Sequence, residues 1–221
     1  EISLGLVGSE MCIRDSNGTW SKLTTAVFLE AAKIHKMGIG VTGKTITLSD
    51  QTGEVCTVES GKCLIIDGGG NELNKRIAIQ DNAKVMLKNV KLAAPTTEVN
   101  TIEINGSATL LLSGTNEING ATQGCPLTVI RGTLTINGTD NDKLTLTGEN
   151  SYNAGCLGLR EGASLIINGG DIVADGSKTQ HGSGIGAYWT GWNDPRYGSI
   201  TINGGKINAS GGLSLIHISE P

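Results

Sequence analysis

Apolar and polar residues alternate in a six-residue phrase that returns along the chain: Thr133-Leu134-Thr135-Ile136-Asn137-Gly138, Ser164-Leu165-Ile166-Ile167-Asn168-Gly169 and Ser199-Ile200-Thr201-Ile202-Asn203-Gly204, with looser copies at residues 84–89 and 109–114. Alternation with a period of two places Leu134 and Ile136, Leu165 and Ile167, Ile200 and Ile202 on one side of their strands. Strands this short cannot bury an apolar face alone, so equivalent strands returning in the same orientation must stack into a solenoid. The pattern predicts inward columns made of those six residues.

Taking Ile46, Leu64, Val85, Leu110, Leu134, Leu165 and Ile200 as equivalent positions, the steps are 18, 21, 25, 24, 31 and 35 residues. Two or three short strands plus corners fit in one such circuit, and corners facing solvent lengthen without disturbing the stack. Second strands are expected at residues 171–174 and 206–209, and third strands around residues 127–129 and 157–159. Asn-Gly between apolar runs is ordinarily a hairpin signal, which makes an antiparallel meander the rival fold. The phrase, however, recurs with the same residues after it, as stacked coils require and up-and-down strands do not. Asn and Gly tolerate left-handed backbone at coil corners. Asn137, Asn168 and Asn203 are accordingly expected to form a ladder of side-chain amides at the spacing of parallel strands, about 4.8 Å.

Residues 17–43 precede the repeats and read differently. Val27, Ala31 and Ile34 recur at helical spacing, with Thr25 as a candidate N-cap and Gly38 where a helix would end. A short helix over residues 25–37, capping the open end of the solenoid, is the expectation; His35 is expected on its surface. Residues 1–16 and 213–221 follow neither the repeat nor its composition. Both closely resemble translated sequencing-adapter read-through at the ends of assembled metagenomic fragments, so they are expected to be non-native. The organisation is therefore expected to be residues 17–43 as cap and 44–212 as one β-helical domain, cut from a longer chain at its C-terminal side.

Composition supports a narrow all-β core. Aromatics are 3% of 221 residues against 38% hydrophobic overall, so Ile, Leu, Val and Ala must fill it, and 33 Gly with six Asn-Gly pairs supply frequent turns. The net charge of −4, or −1 without the two atypical ends, offers no basic footprint for nucleic acid and no polybasic patch for anionic lipid. No apolar run approaches a membrane span. The five cysteines show no paired CxxC spacing for zinc. Buried free thiols are expected, with Cys56–Cys63 and Cys125–Cys156 as the disulfide alternatives.

Residues 61–70, 83–92, 184–186 and 198–205 carry phrases that resemble right-handed parallel β-helix proteins of the pectin-lyase-like class, and repeats of bacterial surface and secreted β-helix proteins described as carbohydrate-binding or adhesin-like. The resemblance spans about residues 45–212 and is specific for architecture. It implies an extracellular or cell-surface bacterial protein whose coil surface or inserted loops meet polysaccharide, cell-surface glycan or other cells. No cofactor and no metal are expected.

The candidate binding residues sit in the longest insertion, residues 179–197. Tyr188, Trp189, Trp192 and Tyr197 include two of the three Trp and two of the three Tyr. Their flat faces suit the apolar faces of sugar rings, with Asp194, Arg196, His181 and Gln180 available for hydroxyls; packing against the flank of the solenoid is the competing use. Hydrolysis or elimination on this fold would need clustered carboxylates, for which Asp140, Asp142, Asp171, Asp175 and Asp194 are candidates. Gln180-His181-Gly182 and residues 137–140 fall short of the polygalacturonase patterns, so no catalytic residue is assigned. Residues 140–142 offer too few oxygens for calcium and are expected to be a solvated turn. The expected function is non-catalytic carbohydrate binding or adhesion, with a ligand-free adhesin stalk and a polysaccharide lyase or hydrolase as the alternatives.

Overall fold

The computed structural model describes residues 3–7, 10–14, 20–22, 43–93, 99–122, 124–149, 155–160, 162–176, 182–187 and 198–211. The chain divides into two compact units, Glu1–Thr42 and Gly43–Pro221. In the first, strands β1 (Ser3–Val7), β2 (Glu10–Arg14) and β3 (Trp20–Lys22) form an antiparallel sheet in the order β1-β2-β3. The expectation of a helix did not foresee strand at residues 20–22; the helix expected over residues 25–37 lies outside the described residues.

The second unit winds in circuits of up to three strands. It opens with β4 (Lys44–Thr47), a single 3-10 turn at Leu48–Asp50 and β5 (Val55–Val58). The next circuits are β6 (Cys63–Asp67), β7 (Glu72–Leu73) and β8 (Arg76–Gln80), then β9 (Ala83–Lys88), β10 (Lys91–Leu92) and β11 (Ile102–Asn105). They are followed by β12 (Ala108–Ser113), β13 (Thr115–Asn119) and β14 (Leu127–Arg131), and by β15 (Thr133–Asn137), β16 (Lys143–Thr147) and β17 (Leu157–Leu159). β18 (Ser164–Ile167), β19 (Asp171–Asp175), β20 (Ile185–Ala187), β21 (Ser199–Ile202) and β22 (Lys206–Ser210) complete it.

Each strand pairs with its equivalent one circuit away. The first strands form a seven-stranded sheet from β4 to β21, the second strands a six-stranded sheet from β7 to β22, and the third strands a six-stranded sheet from β5 to β20. Every described strand pair in the unit is parallel, so this is a parallel β-helix and the antiparallel meander is excluded. No described residue of either unit is α-helical.

The expected columns are present. Leu134 lies opposite Leu165 and Leu165 opposite Ile200; Ile136, Ile167 and Ile202 follow the same line. Leu134, Ile136, Leu165 and Ile167 are fully buried, whereas Ile200 and Ile202 are exposed. The other two sheets contribute Ile77, Ile102, Leu127 and Leu157, and Leu92, Ile118, Leu146 and Ala174, to one continuous core. Filling it with aliphatic layers lets each circuit bury its apolar face against the circuits on either side.

Two steps of the alignment read from sequence require correction. Ile46 lies opposite Ile66, not Leu64, and Leu110 lies opposite Ile136, not Leu134, which makes these steps 20 and 26 residues. A two-residue slip preserves which face points inward, so alternation cannot detect it; backbone pairing across the circuit decides it. The corrected register puts Ile65, Met86 and Leu111 on the same outward column as Asn137. Met86 and Leu111 are buried although they face away from the core.

Candidate functional site

Outward positions of the first sheet build a polar groove of about 190 Å³ lined by Asn82, Lys84, Ser107, Thr109, Thr133 and Thr135, with Ala83 and Ala108 between them. Alternation explains the lining. Ala83 and Ala108 turn inward beside Leu134, while Lys84, Thr109 and Thr135 face outward directly opposite one another on β9, β12 and β15. Asn82 and Ser107 enter from the preceding corners, and Thr133 from the start of β15.

Those corners bring the circuits close together. Asn82 adopts φ 58° and donates its backbone N–H to Ser107 O at 2.6 Å. Asp81 accepts the Ser107 N–H at 2.7 Å and the Asn82 side-chain amide at 2.8 Å, and Ser107 Oγ accepts the Thr133 N–H at 3.3 Å. Gly132, at φ 76°, has no room for a side chain: a Cβ there would lie 2.5 Å from Gly106 C. The groove wall is thus made of backbone that its own side chains tie down.

The lining holds hydroxyls, one amide and one ammonium, and no carboxylate. Such a surface donates to and accepts from hydroxyl-rich ligands. Sequence reasoning passed over these six residues. The available signal was the polar half of the repeated phrase, Thr133 and Thr135 alternating with Leu134 and Ile136, which was read only for what it placed inside.

All seven residues named from sequence for carbohydrate, His181, Tyr188, Trp189, Trp192, Asp194, Arg196 and Tyr197, lie outside the described residues. The described flanks are Gly182 through β20 and Gly198 before β21.

Four of the five candidate carboxylates are described, all on the second sheet or its corner. Asp142 is not part of a solvated turn. It is 2% exposed, and its carboxylate accepts the Gly114 N–H at 3.0 Å on Oδ1, and the Thr139 N–H at 2.8 Å and hydroxyl at 2.6 Å on Oδ2. That geometry locks a corner to the circuit before it. Asp140 is exposed, Asp171 lies in register between Lys143 and Lys206, and Asp175 accepts the Ser210 hydroxyl at 3.1 Å. Among the described residues no group of three or more His, Cys, Asp or Glu is arranged to hold a metal ion.

Cys56, Cys63, Cys125 and Cys156 are free thiols, so neither disulfide alternative is formed. Cys63 faces outward in register with Lys84, whereas Cys56 is buried opposite Ile77. Desolvation pushes Cys125 and Cys156 up to about 12 and raises Cys56, so all three are held as neutral, small apolar side chains. On the outer faces Lys88 pairs with Asp67 at 3.0 Å, Lys91 with Glu117 at 3.2 Å and Arg76 with Glu103 at 3.4 Å. Each links neighbouring circuits. Among the described residues no helix is long and apolar enough to cross a membrane.

No protein-family profile, no curated protein and no solved structure matches this chain.

Proposed function

We propose that this chain is part of an exported bacterial β-helix protein that binds polysaccharide or cell-surface glycan without transforming it. The observation that carries the reading is the groove of Asn82, Lys84, Ser107, Thr109, Thr133 and Thr135. Its donors and acceptors repeat from circuit to circuit at the parallel-strand spacing of about 4.8 Å, so an extended chain of hydroxylated rings along the solenoid axis meets similar partners at each level. The aromatic insertion at residues 188–197 adds ring faces of the kind that stack on sugars. Bacterial origin, export and the pectin-lyase-like relationship rest on the phrases at residues 61–70, 83–92, 184–186 and 198–205.

A glycan array followed by calorimetry tests the proposal, with reducing-sugar and unsaturated-product release measured on the same samples. Thr109→Val together with Thr135→Val removes two hydroxyls at nearly constant shape, and at about 1 kcal/mol per lost hydrogen bond should weaken binding by roughly thirtyfold. Trp189→Ala with Trp192→Ala tests the insertion separately. Binding without release supports the reading. Release of product replaces it with a polysaccharide lyase or hydrolase, and absence of binding to any glycan leaves the adhesin stalk.

A further inference from the structure

The outward face of the first sheet continues past the groove. Lys84, Thr109 and Thr135 are followed in register by Ile166 on β18 and Thr201 on β21, so a half-buried isoleucine interrupts a polar column. Ser164 and Asn168, two positions to either side of Ile166, share its outward face and continue the columns of Thr133 and Asn137. Extended backbone sets their Cα atoms about 13 Å apart, with Ile166 midway.

Both flanking residues keep hydrogen-bonding capacity. Ser164 Oγ accepts the Ser199 hydroxyl at 2.8 Å, which leaves its own proton to donate. Asn168 directs one amide hydrogen to Asn137 Oδ1 at 3.0 Å and accepts from Asn203 at 2.8 Å, which leaves its second amide hydrogen. The level of β18 therefore presents an apolar centre with a donor at each edge, where the levels of β12 and β15 place a threonine at the centre.

We propose that Ser164, Ile166 and Asn168 form a further sugar-ring subsite, continuous with the groove, that selects linear polysaccharides of all-equatorial pyranoses such as a β-1,4-linked glucan. The inference rests on the reading of the groove as a glycan site and adds to it a substrate class. An all-equatorial ring carries C–H groups on both faces and hydroxyls around its rim, so it covers Ile166 whichever way it is turned while its rim reaches Ser164 and Asn168. An axial hydroxyl turned towards Ile166 loses its water and gains no partner. Diequatorial linkage also keeps the chain extended, with a ring repeat close to the strand spacing of about 4.8 Å, so successive rings meet successive circuits.

Calorimetry on the whole chain with β-1,4-linked gluco-oligosaccharides of three and of six rings is the test, with a six-ring β-1,4-linked galacto-oligosaccharide, whose C4 bond is axial, as the control. The six-ring glucan is expected to bind roughly tenfold more tightly than the three-ring one, and more tightly than the control. Ile166→Thr keeps a β-branched residue and continues the threonine column; it should remove that gain and leave three-ring binding unchanged, while Ile166→Val retains the gain. Ser164→Ala, which leaves the apolar centre intact, should reduce the gain about threefold. Binding with no gain from the longer chain, equal weakening of both lengths by Ile166→Thr, or equal binding of the galactan overturns this inference and leaves the groove reading standing. Binding of neither gluco-oligosaccharide also overturns it, and absence of binding to every glycan overturns the groove reading as well.

Discussion

Asn168 joins two circuits through its side chain, donating to Asn137 at 3.0 Å while accepting from Asn203 at 2.8 Å. The residue is exposed, so this ladder adds to the wall of the solenoid and not to its core. Asn168→Ala removes both bonds at once. The ladder is exposed, so each hydrogen bond contributes about 0.5–1 kcal/mol, the lower half of the usual range, and the loss should be about 1–2 kcal/mol, measured as a lower urea midpoint with unchanged slope.

Asn116 is the opposite case, a fully buried amide in a column otherwise continued by Leu144 and Ile172. It accepts the Val90 N–H at 3.0 Å and donates to Lys143 O at 3.2 Å and Ser113 O at 3.4 Å. Asn116→Leu matches the column but leaves the Val90 N–H without this acceptor and takes a donor from Lys143 O and from Ser113 O, the latter keeping the Asn89 N–H at 3.1 Å. Destabilisation of about 3 kcal/mol is expected in chemical denaturation, more than for Asn168→Ala despite the better apolar match.

Gly114 and Gly61 share almost the same backbone, φ 68° and φ 70°, in different surroundings. A Cβ on Gly114 would sit 2.1 Å from Asn89 Oδ1, whereas one on Gly61 meets nothing within 4 Å. Gly61→Ala therefore reports left-handed strain alone, about 1 kcal/mol, and Gly114→Ala adds displacement of Asn89, whose Oδ1 accepts the Thr115 N–H. The difference between their melting temperatures measures the corner contact.

The buried thiols predict an alkaline limit. Cys125 and Cys156 ionise near 9.0 when unfolded and near about 12 when folded, so the stability they represent is complete below about pH 9 and is lost as pH rises towards 12. Double replacement by Ala should flatten that alkaline limb. Native protein should also resist thiol reagents at both positions while Cys63 reacts, with full labelling only in denaturant.

Asp67 sets an acid limit of the opposite sign. The Gly69 N–H, then Lys88, hold its carboxyl below the usual 3.8, so the stabilisation is complete above about pH 4 and fades as pH falls through the lowered value. Asp67→Asn should lower stability at pH 7 and narrow the gap to wild type as the pH drops, followed by thermal melts across that range.

Much of the fold was legible because a solenoid writes its period into the chain. The inward columns through Leu134, Leu165 and Ile200, the strands at β19 and β22, and the Asn137–Asn168–Asn203 ladder all follow from alternation plus repetition. Corner chemistry was legible only in part. Asn and Gly do occupy the turns, but the left-handed asparagines are Asn82 and Asn89, while Gly170 and Gly205 take the positive φ after the ladder residues. This leaves Asn168 and Asn203 free to point along the stack.

The candidate site divides differently. Clustering of Tyr and Trp drew attention to residues 188–197, because rare residue types stand out in a linear chain. The groove on β9, β12 and β15 is made of common ones, from circuits 25 and 26 residues apart, and has no local signature. Asp142 shows the same limit from the other side: a carboxylate resembling a solvated ligand is a corner lock, because Gly114 reaches it from 28 residues away.

Periodicity in the chain was sufficient for the all-β class, the parallel stacking and the identity of the inward face, since a strand has only two faces and the repeats agree on which is apolar. Register, the partners of buried polar groups and the groove were settled by the packing of one circuit on the next. A slip of two residues leaves every face unchanged, and only the backbone hydrogen bonds between circuits distinguish one registration from another.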